Sequence, residues 1–243
     1  MIYTKKLDKW IYGLWDFFLP YQCPSCMDSL SQQEGLFCSR CSEHLDLINP
    51  DERCQVCFQE WEGKNVCLDC QKKPGVFQSI AAAMEYQFPA TMIIHKMKYQ
   101  GFPEIAQGAG AFLALQFYRL SWPIPDYIVP VPIPFSRKLF RGYNQSFLLA
   151  ETLGTYLQRP VVHALKRYGG ELPQAAMGRK SRLNLNHEAF ALTNKTYIKD
   201  ATVLLVDDVL TTGSTLNSCG TLLRRLYPKA LYAMTLCIAD KKN

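Results

Sequence analysis

From about residue 77 onward, short apolar runs alternate with segments that have an apolar position every third or fourth residue. The first pattern predicts strands and the second predicts amphipathic helices. The predicted strands cover residues 79–88, 126–132, 161–166, 189–192, 203–206 and 231–238. The predicted helices cover residues 90–99, 104–120, 144–158 and 215–227. Strands that alternate with helices indicate an α/β fold with a parallel sheet and right-handed crossovers.

Residues 1–75 differ from the rest in composition. The apolar and aromatic segment at residues 10–19 is too short to span a bilayer and lacks a cleavage site, so it predicts a helix packed on a neighbouring module. The segment QKKPG at residues 71–75 is typical of a linker. We expect an N-terminal helix and Cys-rich module over residues 1–75 and an α/β domain over residues 76–243, in a cytoplasmic protein without a membrane span.

Four CxxC pairs fall between residues 23 and 70. Two such turns bring four thiolates together, which completes a tetrahedral site for Zn²⁺ and leaves no open position for catalysis. In so short a segment the metal supplies folding energy that a small core cannot. We expect one or two structural zinc ions held by Cys23, Cys26, Cys38, Cys41, Cys54, Cys57, Cys67 and Cys70.

The spacing leaves the pairing of these cysteines open. Sequential pairing would join the first two CxxC pairs in one site and the last two in another, whereas a cross-braced arrangement would interleave them. His44 follows Cys41 by three residues and could replace a thiolate. A disulfide framework is typical of exported proteins, and iron–sulfur clusters draw on tighter runs, so both are weaker interpretations. Cys219 and Cys237 are isolated, and we interpret them as buried thiols.

The net charge of +6 is unevenly distributed along the chain. Between residues 137 and 182 there are nine Lys or Arg residues and two acids, which accounts for the whole basic excess. The composition, 48% hydrophobic and 20% charged, is that of a globular protein. This distribution favours a polyanionic partner, either pyrophosphate or nucleic acid.

The stretch VLLVDDVLTTGST at residues 203–215 combines a strand, two carboxylates, a hydroxyl-rich turn and the start of a helix. Its apolar run is typical of a strand covered on both faces. Asp207 and Asp208 would then stand at the carboxyl end of that strand, where open α/β sheets bind ligands. Backbone N–H groups at a helix start bind anions, so the stretch predicts a sugar-phosphate site. The alternative is a structural turn, since turns favour Asp, Thr and Gly.

A second segment, SRKLFRGYNQ at residues 136–145, places three cations, a glycine and two amides just before a predicted helix. We interpret it as a loop whose cations bind an anion, because guanidinium and ammonium groups suit phosphate oxygens. The alternative is a solvated basic turn. Residues 167–184 are rich in glycine and cations, which indicates either a mobile lid or a plain exposed loop.

The stretch at residues 203–215 resembles the ribose-5-phosphate motif of type I phosphoribosyltransferases, and the chain as a whole resembles the bacterial ComF family. The features that carry the wider resemblance are the four CxxC pairs, HKMKYQG at residues 95–101, VPVP at residues 129–132, RGYNQ at residues 141–145, the Asp-Asp loop, and Gln174, Arg182 and Asn184. It implies a type I phosphoribosyltransferase-like parallel sheet, flanked by helices and preceded by a zinc-ribbon-like module.

The resemblance implies that phosphoribosyl pyrophosphate (PRPP) binds together with Mg²⁺. Asp207 and Asp208 would hold the ribose hydroxyls and, through water, the metal. The 5′-phosphate would lie against Thr211, Thr212, Gly213, Ser214 and Thr215. The departing pyrophosphate would be stabilised by Arg137, Lys138 and Arg141, with Arg182 closing from the lid. No segment indicates which acceptor would receive the sugar.

The resemblance also implies a role in natural competence, DNA uptake and transformation, with single-stranded DNA and a ComFA-like ATP-dependent helicase as partners. The cations expected to contact DNA are Lys96, Lys98, Arg179, Lys180 and Arg182, and Arg137, Lys138 and Arg141 could also follow the phosphate backbone. Tyr99, Phe140 and Tyr143 could stack on bases. One alternative is a non-catalytic nucleic-acid-binding module with PRPP as a regulatory ligand. The other is a scaffold that bridges proteins through its zinc module.

Overall fold

The computed structural model describes residues 23, 26, 28–30, 37–63, 65–99, 103, 105–168, 189–193 and 197–239. The helices within these residues are α1 (Ser39–Ser42), α2 (Leu68–Lys72), α3 (Ala90–Tyr99), α4 (Ile105–Arg119), α5 (Phe135–Arg141), α6 (Gln145–Leu157) and α7 (Ser214–Arg224). The strands are β1 (Ser79–Glu85), β2 (Tyr127–Pro130), β3 (Leu165–Arg167), β4 (Phe190–Leu192), β5 (Thr202–Leu210) and β6 (Ala230–Ile238). The helix predicted at residues 10–19 lies outside the described residues.

Four strands form a parallel sheet in the order β1-β6-β5-β2, which confirms the predicted fold class. The central strand β5 pairs with β6 along its length, from Thr202 opposite Ala230 to Leu210 opposite Ile238. Its residues 202–206 are all buried, as a strand covered on both faces requires. Among the described helices, none combines the length and the apolar character needed to cross a bilayer.

Several local predictions were wrong in extent or form, and the strands predicted at residues 79–88, 126–132 and 161–166 are shorter than expected. The acids lie within β5 rather than after it, because β6 continues to pair with that strand as far as Leu210. Residues 136–145, predicted to be a loop, contain helix α5, which ends at Gly142 with a φ of 80°. The helix predicted at residues 215–227 already ends at Arg224.

Strands β3 and β4 form a separate antiparallel pair, in which Leu165 lies opposite Leu192. They were expected to join the parallel sheet, but Val161 makes only an isolated bridge to Ile128 of β2. Parallel neighbours require a crossover connection that is usually helical, and the sequence between β3 and β4 has no helical pattern. Antiparallel pairing needs no such crossover.

Each face of the parallel sheet carries its own apolar cluster. Helices α3, α4 and α6 cover one face, against β5 residues such as Leu204 and Val206. Helix α7 and the β3–β4 pair cover the other face, against Val203 and Leu205. Because successive strand residues point to opposite faces, β5 contributes to both clusters.

The Cys-rich segment packs directly against the α/β sheet. Cys23 belongs to the same apolar cluster as Ile93 of α3. On the outer edge of β1, the backbone N–H of Ile80 donates to the carbonyl of Val56 at 2.8 Å. This segment therefore covers both a helix and a strand edge that would otherwise be exposed.

Candidate functional site

The eight CxxC cysteines form two groups of four in sequential pairing, and within each group all ligand atoms lie within 4.8 Å of one another. The first zinc site is Cys23, Cys26, Cys38 and Cys41, and the second zinc site is Cys54, Cys57, Cys67 and Cys70. The Sγ atoms of Cys26 and Cys38 are 3.5 Å apart, and those of Cys57 and Cys67 are 3.7 Å apart. A tetrahedron with Zn–S bonds of about 2.3 Å has sulfur atoms about 3.8 Å apart. Both groups therefore fit a structural zinc ion without His44.

The two zinc sites differ in the groups that surround their sulfur atoms. Two cations lie beside the first site. Arg40 interacts with the thiol of Cys26, and Lys96 lies close to Cys23 and Cys26. At the second site, the backbone N–H of Cys67 donates to the Sγ of Cys54 at 3.2 Å. Burial acts to raise the pKa of Cys54, but such N–H donors outweigh it and lower that pKa to about 7. These donors favour the thiolate form of Cys54, whereas burial raises the pKa of Cys57 to about 11.

The two acids of β5 have different partners. The Oδ1 atom of Asp207 accepts hydrogen bonds from the Ser146 hydroxyl at 2.8 Å and from the backbone N–H of Asp208 at 2.9 Å. The Oδ2 atom of Asp208 lies 2.9 Å from the Nζ of Lys98 on α3. Burial, followed by the neighbouring charge of Asp208, raises the pKa of Asp207 to about 7. Asp207 is therefore only partly ionised near neutral pH, whereas Asp208 forms an ion pair with Lys98.

The segments HKMKYQG and RGYNQ meet at the end of α3. The carbonyl of Met97 accepts hydrogen bonds from the hydroxyl of Tyr143 and the side-chain amide of Gln145, both at 2.9 Å. The Nη1 of Arg141 donates to the Oε1 of Gln145 at 3.2 Å, and its guanidinium lies 5.3 Å from the ring centroid of Tyr99. These side chains fasten α3 to the start of α6. The amide of Gln145 thus positions α3.

Asn144 brings Ser146 to the acids by capping helix α6. Its Oδ1 accepts from the backbone N–H of Ser146 at 3.2 Å, and its Nδ2 donates to the carbonyl of Val131 at 2.9 Å. An N-cap side chain that satisfies a first-turn donor stabilises the helix start. The cap also links α6 to the residue that follows β2, which places Ser146 within reach of Asp207.

The hydroxyl-rich turn follows β5 directly and begins helix α7. Gly213 occupies the N-cap position with a φ of 75°, a left-handed conformation that favours glycine, and no side chain caps the helix there. The hydroxyl of Thr212 donates to that of Ser214 at 3.1 Å, and both residues are exposed. The N–H of Ser214 donates to the Oγ1 of Thr212 at 3.4 Å, and the other N–H groups of such a helix start can bind an anion. The structure therefore brings this turn and the acid pair to the same end of the sheet, where the parallel strands have their carboxyl ends.

The predicted cations occupy three different environments. Arg137 and Lys138 lie exposed on α5. Lys96 was predicted to contact DNA, but its exposed fraction is 4%, so that prediction is wrong for a surface contact. Lys98 pairs with Asp208 instead of lying on an open surface. Three further cations, Arg179, Lys180 and Arg182, lie outside the described residues. Most of the predicted lid lies outside them as well.

Two residues near the acids were not predicted as individual site residues, although Arg167 begins the predicted lid. Nothing in the sequence marked Ser146 as a site residue, except that it follows the RGYNQ segment. Arg167 of β3 lies close enough to Arg137 and Asp207 for their charges to affect its pKa, which burial lowers. Its guanidinium also lies 4.8 Å from the ring centroid of Phe190. A hydroxyl and a second cation therefore lie near Asp207, on separate elements that only the fold brings together.

Two family models match the chain. A model described as the phosphoribosyl transferase domain matches residues 146–243, and one described as the double zinc ribbon domain matches residues 14–71. The chain therefore carries a phosphoribosyltransferase domain preceded by a double zinc ribbon.

Curated relatives match most of the chain. Competence protein F of Haemophilus influenzae is 30% identical over 217 residues, which cover 86% of this chain and 93% of that protein. DNA utilization protein YhgH of Escherichia coli strain K12 is 30% identical over 176 residues, 70% of this chain and 77% of that protein. Competence protein ComFC of Bacillus subtilis is 26% identical over 71% of this chain and 78% of that protein. The chain belongs to the ComF family of competence proteins.

Proposed function

We propose that this protein binds PRPP with Mg²⁺ at the carboxyl end of the central strand β5 and acts as a phosphoribosyltransferase in natural competence. One juxtaposition carries the proposal: the acids Asp207 and Asp208 lie on β5 directly before the start of α7. Carboxylates suit ribose hydroxyls and Mg²⁺, and the helix start suits a phosphate. A sugar phosphate carries both hydroxyl groups and a phosphate, so it suits a site that offers both kinds of group.

In this proposal each part of the site has a separate task. Asp207 and Asp208 bind the ribose hydroxyls and the hydrated metal, and residues 211–215 bind the 5′-phosphate. Mg²⁺ would neutralise charge on the pyrophosphate. Loss of pyrophosphate leaves positive charge on the sugar, so catalysis depends on positioning and on stabilising the leaving group. The exposed cations Arg137 and Lys138 are suited to the second task, whereas Arg141 positions Gln145 and Tyr99.

The acid pair provides the direct test of this assignment. The double variant Asp207→Asn with Asp208→Asn should weaken PRPP–Mg²⁺ binding about tenfold or more, because two charge-assisted hydrogen bonds become neutral ones that are each weaker by about 1 kcal/mol. Calorimetry measures the affinity, and a coupled assay measures pyrophosphate release in the presence of DNA and candidate bases. Asp200→Asn is the matched control, since Asp200 is exposed and precedes the other end of β5. If the double variant binds PRPP like the wild type, the assignment is wrong.

The proposal includes a cytoplasmic role in DNA uptake and transformation, together with a ComFA-like ATP-dependent helicase. Family membership supports this part of the proposal, since the relatives are named for competence and DNA utilization. Two sites with four thiolate ligands each also suit a reducing compartment.

Helix α5 supports a second activity, the binding of single-stranded DNA. Its apolar side chains are unusually exposed: 72% for Phe135, 75% for Leu139 and 84% for Phe140. The exposed cations Arg137 and Lys138 lie between these residues. Aromatic rings beside cations provide the stacking and the charge that single strands require.

Fluorescence anisotropy with a labelled oligothymidine tests this surface. Phe140→Ala should weaken binding about tenfold, since stacking contributes about 1–3 kcal/mol per base. The exposed Tyr197 supplies the control variant Tyr197→Ala. The double variant Arg137→Gln with Lys138→Gln should reduce the slope of log affinity against log salt by about 1.4, at about 0.7 per phosphate contact. An unchanged slope would exclude these cations from the DNA contact.

A further inference from the structure

Helix α3 contacts both the first zinc site and the acid site, through two residues of the same helical turn. Lys96 is buried close to Cys23 and Cys26, and both cysteines pack in the apolar cluster that contains Met97 of α3. Two residues later, the Nζ of Lys98 lies 2.9 Å from Asp208. Two helical residues differ by about 200° around the axis, so their side chains leave opposite sides of α3. The same turn of helix therefore lies between zinc ligands and acids.

The residue between these two lysines fixes the position of the turn. The carbonyl of Met97 accepts hydrogen bonds from Tyr143 and Gln145 at the start of α6. The next residue of that helix start, Ser146, hydrogen-bonds to Asp207. A shift of α3 would therefore disturb the partners of both acids together.

Lys96 is suited to hold α3 against the first zinc site. Four thiolates around Zn²⁺ carry a net charge of −2, and a buried ammonium group requires a compensating partner. Groups that surround a metal site in this way orient its ligands and stabilise the bound metal. The second zinc site is connected differently, since its segment meets the sheet at the outer edge of β1, through Val56 and Ile80.

We infer that Lys96 is a positioning residue that couples zinc binding at the first zinc site to PRPP affinity at the acid site. With zinc bound, Lys96 anchors α3, and α3 in turn holds Lys98 and the start of α6 against the acids. Loss of this zinc releases α3 and weakens PRPP binding, whereas loss of zinc from the second site does not. The inference rests on the proposed PRPP site for its functional consequence.

The first test replaces the buried ammonium with an apolar side chain of similar length, in Lys96→Met. We expect zinc affinity at the first site to fall about 10–100-fold, so that a chelator removes one of the two ions sooner. PRPP affinity measured by calorimetry should fall about tenfold. The control is Lys72→Met, since Lys72 is exposed and lies two residues after Cys70 of the second site. If Lys96→Met retains both zinc ions and wild-type PRPP affinity, the coupling does not exist.

A second test does not depend on Lys96→Met folding well or on PRPP binding. Cys26→Ser and Cys57→Ser each remove the second ligand of the first CxxC pair in one zinc site. Hydrogen–deuterium exchange should show faster amide exchange in α3 (Ala90–Tyr99) for Cys26→Ser than for Cys57→Ser. Equal exchange in the two variants would overturn the coupling. If the wild type itself does not bind PRPP, the proposed function fails, and this exchange measurement still decides whether zinc anchors α3.

Discussion

At the scale of single residues, Asp207 combines a proposed ligand role with a cost to folding. Burial and the charge of Asp208 raise its pKa to about 7, although Ser146 and a backbone N–H hydrogen-bond to its Oδ1. Between about pH 4 and pH 7 the folded protein keeps a proton on this carboxyl that the unfolded chain has released. The stability from this group is therefore complete below about pH 4 and is lost as the pH rises to about 7.

Asp207→Asn should remove this dependence on pH, because the amide stays neutral and its oxygen can still accept both hydrogen bonds. Without PRPP, we expect its Tm at pH 8 to exceed that of the wild type by about 2–4 °C, which corresponds to about 1 kcal/mol in a chain of this size. The difference should shrink toward pH 5. Calorimetric scans across this range provide the measurement, and a difference that does not vary with pH would contradict the titration of Asp207.

At the same scale, sequence reasoning identified residues whose chemistry is local and missed those that depend on the fold. The zinc ligands follow from CxxC spacing, and the acids with their hydroxyl turn follow from one continuous stretch. Lys96 and Lys98 are two residues apart and looked equivalent, yet one is buried beside zinc ligands and the other pairs with Asp208. Ser146 lies 61 positions from Asp207, so only tertiary packing reveals their hydrogen bond.

At the scale of elements, the close contact of α4 and α6 depends on Gly110. A Cβ atom at this position would lie 2.4 Å from the Cβ of Thr152, a distance that requires the two helices to move apart. Gly110→Ala should therefore cost about 1–3 kcal/mol through overpacking, against a gain of about 1 kcal/mol in helix propensity.

We expect a net loss of about 1 kcal/mol in the free energy of unfolding for Gly110→Ala, measured by urea denaturation. Gly75→Ala is the control, because its added Cβ would meet only the backbone nitrogen of Phe77, at 4.0 Å. A Gly110→Ala protein as stable as the wild type would show that α4 and α6 adjust without cost.

The elements themselves were predictable where a long periodic pattern had clear ends. Helix α3 matches its predicted range, and α4 and α6 differ from theirs by one residue at each end. Strand β5 is longer than its apolar run, because pairing with β6 extends it through the acids. Helix α5 lacks a buried face, so the spacing of apolar positions gave no sign of it. The local pattern of hydrophobic residues therefore reveals neither which strand a segment pairs with nor a helix that has no buried face.

At the scale of the whole molecule, the expected boundary near residue 75 remains a prediction, and the two parts of the chain share apolar contacts. Cys23 and Cys41 belong to the same cluster as Met97 of α3. The side-chain amide of Gln116 in α4 donates to the carbonyl of Ile48 at 2.9 Å. Residues 76–243 alone would therefore expose the apolar surface of α3 and the edge of β1.

We expect residues 76–243, expressed alone, to aggregate or to lose cooperative thermal unfolding, because exposed strand edges and apolar faces promote association. Analytical ultracentrifugation and circular dichroism compare this fragment with the full chain. A monodisperse fragment with a cooperative transition would show instead that the α/β part folds on its own and that the zinc ribbons contribute little to its stability.

The pairing of Lys98 with Asp208 has a consequence for any ligand that takes this carboxylate. Such a ligand competes with an ammonium group 2.9 Å away, so binding begins with the displacement of an internal counter-ion. The displaced ammonium then lacks a partner unless the ligand brings negative charge of its own. A neutral sugar would leave it unsatisfied, whereas a phosphorylated one would accept it. This exchange of partners would favour phosphorylated ligands over neutral ones, whatever their remaining groups contact.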